Sequence, residues 1–186
     1  MAGNTAAGNV EGFIWISMNA FHHTALTFVG QHVGARKIKK IPRIIAMNIL
    51  FVSLTGIGLA LCVLLGRYPL LSLYLDDPAI IETAIHRLLV IASTYFICGI
   101  MDVLTGVLRG LGNSMIPMIL TVICVCGVRI TWVLTIFKML RGESYAHVIL
   151  YLCFPVSWVL AVVSMLIAVV IIYRRVKREC LCAEIS

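Results

Sequence analysis

Long apolar segments alternate with short polar segments along the whole sequence. Five apolar segments are each long enough to cross a bilayer, which takes about 20 helical residues. They lie approximately at residues 9–32, 42–65, 83–108, 117–137 and 146–173. Lipid offers backbone amides no hydrogen-bond partners, so spanning segments form helices or a closed barrel, and continuous apolar runs favour helices. The pattern predicts an all-α integral membrane protein with five transmembrane helices in residues 1–178 and a short cytoplasmic tail at 179–186.

The composition supports the same class of protein. Hydrophobic residues make up 61% of the chain and charged residues 12%, and the mean hydropathy is +1.05. Soluble domains average about 25% charged residues, so the partner that this composition indicates is the lipid bilayer. The net charge of +7 does not indicate a nucleic-acid partner, because the basic residues cluster at the ends of the apolar segments.

These basic clusters predict the orientation in the membrane. One cluster lies in the first interhelical loop and one follows the last apolar segment; they comprise Arg36, Lys37, Lys39, Lys40 and Arg43, then Arg174, Arg175, Lys177 and Arg178. The positive-inside rule places both in the cytoplasm. We expect a multi-pass protein of the plasma membrane with a cytoplasmic C-terminus, and five spans then put the N-terminus outside. Either a preceding segment is absent from this sequence, or the short uncharged N-terminus crosses unaided.

The first apolar segment carries a row of polar side chains. Glu11, Asn19 and His22 recur at helical spacing, and His23 follows Asn19 by four residues. Such a row faces water or protein in preference to lipid, so these four residues are candidates for the lining of a cavity. The histidines lie near the membrane midplane, where they either carry protons or form neutral hydrogen bonds between helices.

Two charged residues lie deeper in the membrane and are candidates for the lining of a water-filled cavity. Asp102 precedes the end of the third segment by roughly 10 Å, and Arg129 lies about 18 Å from the inner end of the fourth. A charge in hydrocarbon costs several kcal/mol unless it is paired or hydrated. The two residues therefore form either a structural ion pair or part of a cavity.

The sequence offers no pattern for catalysis or metal binding. It contains no HExxH, GxSxG or paired-aspartate constellation among its eight acidic residues. Cys124 and Cys126 are two residues apart on a helix, so their side chains do not face each other. We expect no enzymatic activity, no metal site and no cofactor.

Two motifs resemble those of a known family. VGQHVGA ends the first apolar segment, and VLRGLGNS, followed by Pro117, ends the third. In this order and at these helix ends, they resemble the second half of a multidrug and toxic compound extrusion (MATE) transporter, a resemblance that covers residues 2–178. The motif residues are Gly30, Gln31, Gly34, Leu108, Arg109 and Gly110.

The resemblance implies a twelve-helix antiporter of two six-helix lobes, in which these five spans correspond to helices eight to twelve. The partners it implies are the seventh helix and an N-terminal lobe. Such proteins export small amphipathic, often cationic, compounds by alternating access, driven by Na⁺ or H⁺. One branch binds its coupling cation with carboxylates on the seventh and tenth helices; here Cys98, one turn from Asp102, lies nearest the second of these positions.

Two other functions stay open at this point. A lipid-linked oligosaccharide flippase of the same superfamily shares the helix plan, with a more basic cavity than one mid-membrane arginine supplies. A non-transporting membrane subunit is the second alternative, and it requires no role for Asp102.

Overall fold

A computed structural model describes residues 2–66, 78–137 and 146–185 of the chain. It contains five helical stretches: α1 (Ala2–Gly34), α2 (Ile41–Leu65), α3 (Pro78–Gly110), α4 (115–137) and α5 (Ala146–Ile185), with a 3₁₀ turn at Ile38–Lys40 before α2. Every regular element in these ranges is helical, which confirms the all-α prediction. α5 continues as a helix through most of the segment expected as a tail.

The surface of the bundle is apolar enough for a membrane. Within the described ranges, three helical stretches combine sufficient length and apolarity to span a membrane: Ile38–Leu65, Met115–Thr135 and Leu152–Cys180, with mean hydropathies of 2.3, 2.0 and 2.7. Large apolar side chains on α2, α4 and α5, such as Leu54, Leu134 and Ile167, are more than half exposed. A helix with an apolar outer surface is stable in lipid and not in water. The protein is therefore integral to the membrane.

Helix α3 lies at the centre of the bundle. It contacts all four other helices, and Val103, Leu104, Val107 and Leu108 on it are fully buried. These four residues cover roughly 140° of the helix circumference, and the buried residues Tyr95 and Cys98 lie on the remaining side. Helix α3 is therefore enclosed by protein instead of facing lipid on one side. Asp102 therefore lies on the innermost helix.

Glycines allow α1 and α3 to approach each other closely. A Cβ atom added at Gly106 would collide with the backbone carbonyl oxygen of His22, and one at Gly110 would lie 2.9 Å from the carbonyl oxygen of Leu26. Small residues at such contacts are the usual means of helix association in membranes, where lipid removes the hydrophobic driving force between helices. The close approach places the polar residues of α1 directly beside those of α3.

The two helices that carry the sequence motifs end in the same way. At the end of α3, the amides of Gly112 and Asn113 donate to the carbonyls of Arg109 and Leu108, which is the Schellman pattern. Gly112 has φ +88°, a left-handed conformation that glycine adopts without steric cost. The end of α1 repeats the pattern with Arg36 at φ 56°.

Helix α4 is irregular. Two of its segments, Val122–Gly127 and Val133–Phe137, are π-helical and flank a short α-helical segment, Val128–Trp132. A π turn accommodates an additional residue, so the side chains that follow it are rotated relative to a continuous α-helix. This rotation decides which way Arg129 faces.

Candidate functional site

A polar cavity of about 330 Å³ lies between α1, α3 and α4. Its polar lining comes from Asn19 and His22 on α1, from Asp102, Thr105 and Arg109 on α3, and from Thr121 on α4. Its volume is at the lower end of the range for small-molecule sites. Three of the predicted site residues, Asn19, His22 and Asp102, are thus brought together.

His22 joins α1 to α3 beside the carboxylate of Asp102. Its Nδ1 atom donates a hydrogen bond of 2.8 Å to the backbone carbonyl oxygen of Asp102, since a carbonyl can only accept. The residue is buried, with 8% of its surface exposed. Donation from Nδ1 leaves Nε2 as an acceptor when the ring is neutral, so His22 can take up a proton at that atom without breaking the link between the helices.

Asp102 has no ion-pair partner within the described ranges. The ion pair that the structure shows there is an exposed one between Arg175 and Glu179, at 3.2 Å on α5. The Asp102 side chain is half-buried and lines the cavity, together with the exposed cation Arg109. An unpaired carboxylate inside a membrane protein requires water, a cation or a proton, and the cavity provides room for each of these.

Arg129 lies elsewhere and forms no ion pair with Asp102. Its guanidinium carbon is 4.2 Å from the centre of the Phe154 ring, and its Nε donates a hydrogen bond of 3.3 Å to the hydroxyl of Ser157. Trp158 packs edge-to-face against Phe154, with ring centres 6.0 Å apart. Aromatic faces and a hydroxyl thus stabilise this cation against α5, so the structure does not bring Arg129 to the Asp102 cavity.

The remaining predicted site residues are His23 and Glu11. The rings of His22 and His23 meet edge-to-face with centres 5.2 Å apart, but His23 is exposed and is not part of the cavity lining. The side chain of Glu11 lies outside the described residues. No group of three His, Cys, Asp or Glu side chains suited to a metal ion occurs in the part of the chain that the structure describes.

The two sequence motifs meet in space. A Cβ atom added at Gly30 would lie 3.9 Å from the carbonyl oxygen of Gly110, so the two helix ends are in backbone contact. Leu108 is buried and Arg109 points to the cavity, whereas Gln31 and Gly34 are exposed. One function of the motifs is therefore to hold α1 against α3 at the end of the cavity.

Sequence reasoning missed two parts of the site. Arg109 shares a polar face of its helix with Asp102 in the sequence pattern, seven residues further on, but it was predicted as a motif residue and not as part of the cavity lining. Nothing in the sequence distinguishes Thr121 from an ordinary threonine in an apolar helix, where the hydroxyl commonly donates to the carbonyl four residues earlier. In the structure its hydroxyl does so, to the carbonyl of Pro117.

Comparisons with known proteins identify the family. A family model described as MatE matches residues 1–135, and the chain therefore belongs to the MatE family. It is 26% identical over 129 residues to a probable multidrug resistance protein NorM from Thermotoga maritima, a match that covers 69% of this chain and 28% of that protein. A protein of the same description from Aromatoleum aromaticum is 28% identical over 130 residues, again 69% of this chain and 28% of the relative. The chain thus matches less than a third of the length of these relatives.

Proposed function

We propose that this chain forms part of the C-terminal lobe of a cation-coupled antiporter that exports amphipathic, cationic compounds. The family and the relatives described as multidrug resistance proteins support the transport class. Asp102, His22 and Asn19 supply the polar wall of the transport cavity. Na⁺ or H⁺ is the coupling ion.

The observation that carries this proposal is the position of the polar cavity. It opens at the surface of the bundle between α1, α3 and α4, where Met118 and Val122 form an exposed apolar rim, 49% and 55% exposed. A surface that contains Asp102 and Arg109 is too polar to face hydrocarbon at membrane depth. It must face water or another part of a transport protein.

A second helical lobe would complete the cavity. In alternating access, one lobe rocks against the other around a site that lies between them. The open side of this cavity is suited to that contact, because an amphipathic compound needs a polar wall for its charge and an apolar rim for its hydrocarbon. The N-terminal lobe and the seventh helix of the family plan are the partners that we propose for this surface.

Asp102 supplies the negative charge that a cationic compound requires. Binding of the coupling ion at this carboxylate would compete with binding of the exported cation, and such competition is what couples two opposed fluxes through one site. His22 holds the backbone of Asp102 in place, and its Nε2 offers a second atom for a proton. Arg129, the mid-membrane cation that a flippase cavity could use, lies against Phe154 instead, so it gives no support to a polyanionic substrate.

The test is a charge-neutral replacement of the carboxylate. In membranes that contain the protein, we expect Asp102→Asn to reduce efflux of a cationic dye, driven by a pH or Na⁺ gradient, by tenfold or more. The matched control is Glu179→Gln, which makes the same chemical change at the exposed ion pair of α5 and should leave efflux unchanged. Thermal stability of both variants shows whether a loss reflects unfolding.

Two results would contradict the proposal. One is efflux by Asp102→Asn at the rate of the unchanged protein. The other is purification of the chain with a partner whose function survives Asp102→Asn, which would make the chain a non-transporting subunit.

A further inference from the structure

A second cavity, separate from the Asp102 cavity, lies between α1 and α2. Its volume is about 480 Å³, and its walls include Phe21 and Phe28 from α1 and Met47 and Phe51 from α2. Phe28, Met47 and Phe51 are 49%, 44% and 49% exposed. We refer to it as the α1/α2 groove. Its walls are suited to a hydrocarbon chain.

The three uncharged polar side chains that line the α1/α2 groove each form a hydrogen bond within their own helix. Thr24 donates to the carbonyl of Ala20, His32 Nδ1 to that of Phe28, and Asn48 Nδ2 to that of Ile44. In hydrocarbon, such internal bonds remove most of the cost of a polar side chain. The groove therefore does not require a polar ligand along its length.

The length of the groove matches the hydrocarbon thickness of one leaflet of a bilayer. Phe21 and His32 are eleven residues apart on α1, so the groove extends for roughly 16 Å along that helix. Half of a hydrocarbon core is about 15 Å. The groove thus runs from the membrane interface on the side of the basic loop to about the midplane.

Two exposed cations stand at the interfacial end of the groove. Lys40 and Arg43 both line it, and none of its lining residues is acidic. The adjacent pocket, formed by the basic loop and α5, shares Lys40 and adds further basic residues. Basic residues at this depth attract anionic lipid headgroups at about 1 kcal/mol each, which corresponds to roughly fivefold in affinity per residue.

We propose that the α1/α2 groove binds one anionic phospholipid of the leaflet on the side of the basic loop. Its phosphate lies between Lys40 and Arg43, and one acyl chain lies along Phe28, Met47 and Phe51. Charge complementarity selects the headgroup, and the matching length selects a lipid over a soluble anion. This binding is independent of the transport role of Asp102.

The first test compares two lipids with the same acyl chains. For the purified chain in detergent, native mass spectrometry should show about 25-fold tighter binding of phosphatidylglycerol than of phosphatidylcholine. The double variant Lys40→Ala/Arg43→Ala should lose this preference. Arg174→Ala/Arg178→Ala removes the same charge from exposed positions at the same end of the bundle and should retain it. Equal binding of both lipids, or retention of the preference by the first variant, would overturn the proposal.

The second test separates the headgroup from the acyl chain. Met47→Trp fills the groove and leaves both cations in place, so phosphatidylglycerol binding should fall tenfold or more. Ile57→Trp, at an exposed position of α2 away from the groove, should bind as the unchanged chain does. Glycerophosphoglycerol and inorganic phosphate should not displace the lipid at equal concentration. Displacement by either, or normal binding by Met47→Trp, would show that the site recognises a phosphate without the lipid chain and would overturn the proposal.

Discussion

The close contact between α1 and α3 can be tested at Gly106. In Gly106→Ala, the new methyl group would collide with the carbonyl oxygen of His22 and lie 3.2 Å from its carbonyl carbon and 3.3 Å from the amide nitrogen of Leu26. All three atoms belong to the backbone of α1, so no side-chain rotation relieves the collision. The two helices must move apart.

The loss of unfolding free energy follows from the packing contacts that this separation weakens. Met18 and Ala25 on α1 and Val103 and Val107 on α3 are fully buried. A gap of 0.5–1 Å already loses about a quarter to a half of the dispersion attraction of each atom pair. Overpacking of a well-packed contact costs about 1–3 kcal/mol, so we expect about 2 kcal/mol less unfolding free energy and a melting temperature lower by roughly 4–8 °C.

The assay measures the melting temperature of the purified protein in detergent. It compares alanine variants of glycines whose added Cβ atoms meet different amounts of open space. Gly58→Ala is the matched control, since nothing lies within 4 Å of its added Cβ atom, and it should melt at the temperature of the unchanged protein or slightly above it. Gly30→Ala, whose nearest atom is 3.9 Å away, should be close to the control. If Gly106→Ala melts together with Gly58→Ala, the inferred contact between α1 and α3 is wrong.

Three further predictions concern single residues. Replacement of Arg129 by Ala should lower the unfolding free energy by about 1–3 kcal/mol through loss of its contacts with Phe154 and Ser157, and Arg129→Lys should recover part of it in the same thermal assay. His22→Phe removes the hydrogen bond to α3 and should cost about 1 kcal/mol, whereas the exposed His23→Phe should be near neutral in the same assay; equal losses would contradict the bond. In a variant that retains only Cys180, a membrane-impermeant maleimide should label the intact cell only after permeabilisation, and labelling from outside would refute a cytoplasmic C-terminus.

The helical elements could be predicted because the hydrocarbon core imposes a length and a composition on each segment. The end of α3 could also be predicted from its glycines, since Gly112 adopts a positive φ that most residues disfavour. The distance of Asp102 from the end of its helix followed from the rise per residue. Depth along an axis is a local property, and the sequence specifies it directly.

The partner of Arg129 could not be predicted, because it depends on the direction in which the side chain faces. The π-helical segment Val122–Gly127 precedes Arg129 and rotates it relative to a regular helix. No residue pattern in the sequence predicts this π-helical segment. The side chain therefore meets Phe154 and Ser157 on α5, although its depth alone made Asp102 an equally good partner.

The sequence by itself determined the class of protein, the helical segments and the two motifs that mark the family, because each depends on neighbouring residues and on the solvent. Only the tertiary structure decided which polar residues share a cavity. Asn19, His22, Asp102 and Arg109 meet because Gly106 and Gly110 let two backbones come into contact, and that contact sets the rotation and spacing of α1 and α3 together. A close approach between distant segments is a property of the packed bundle, and no single segment encodes it.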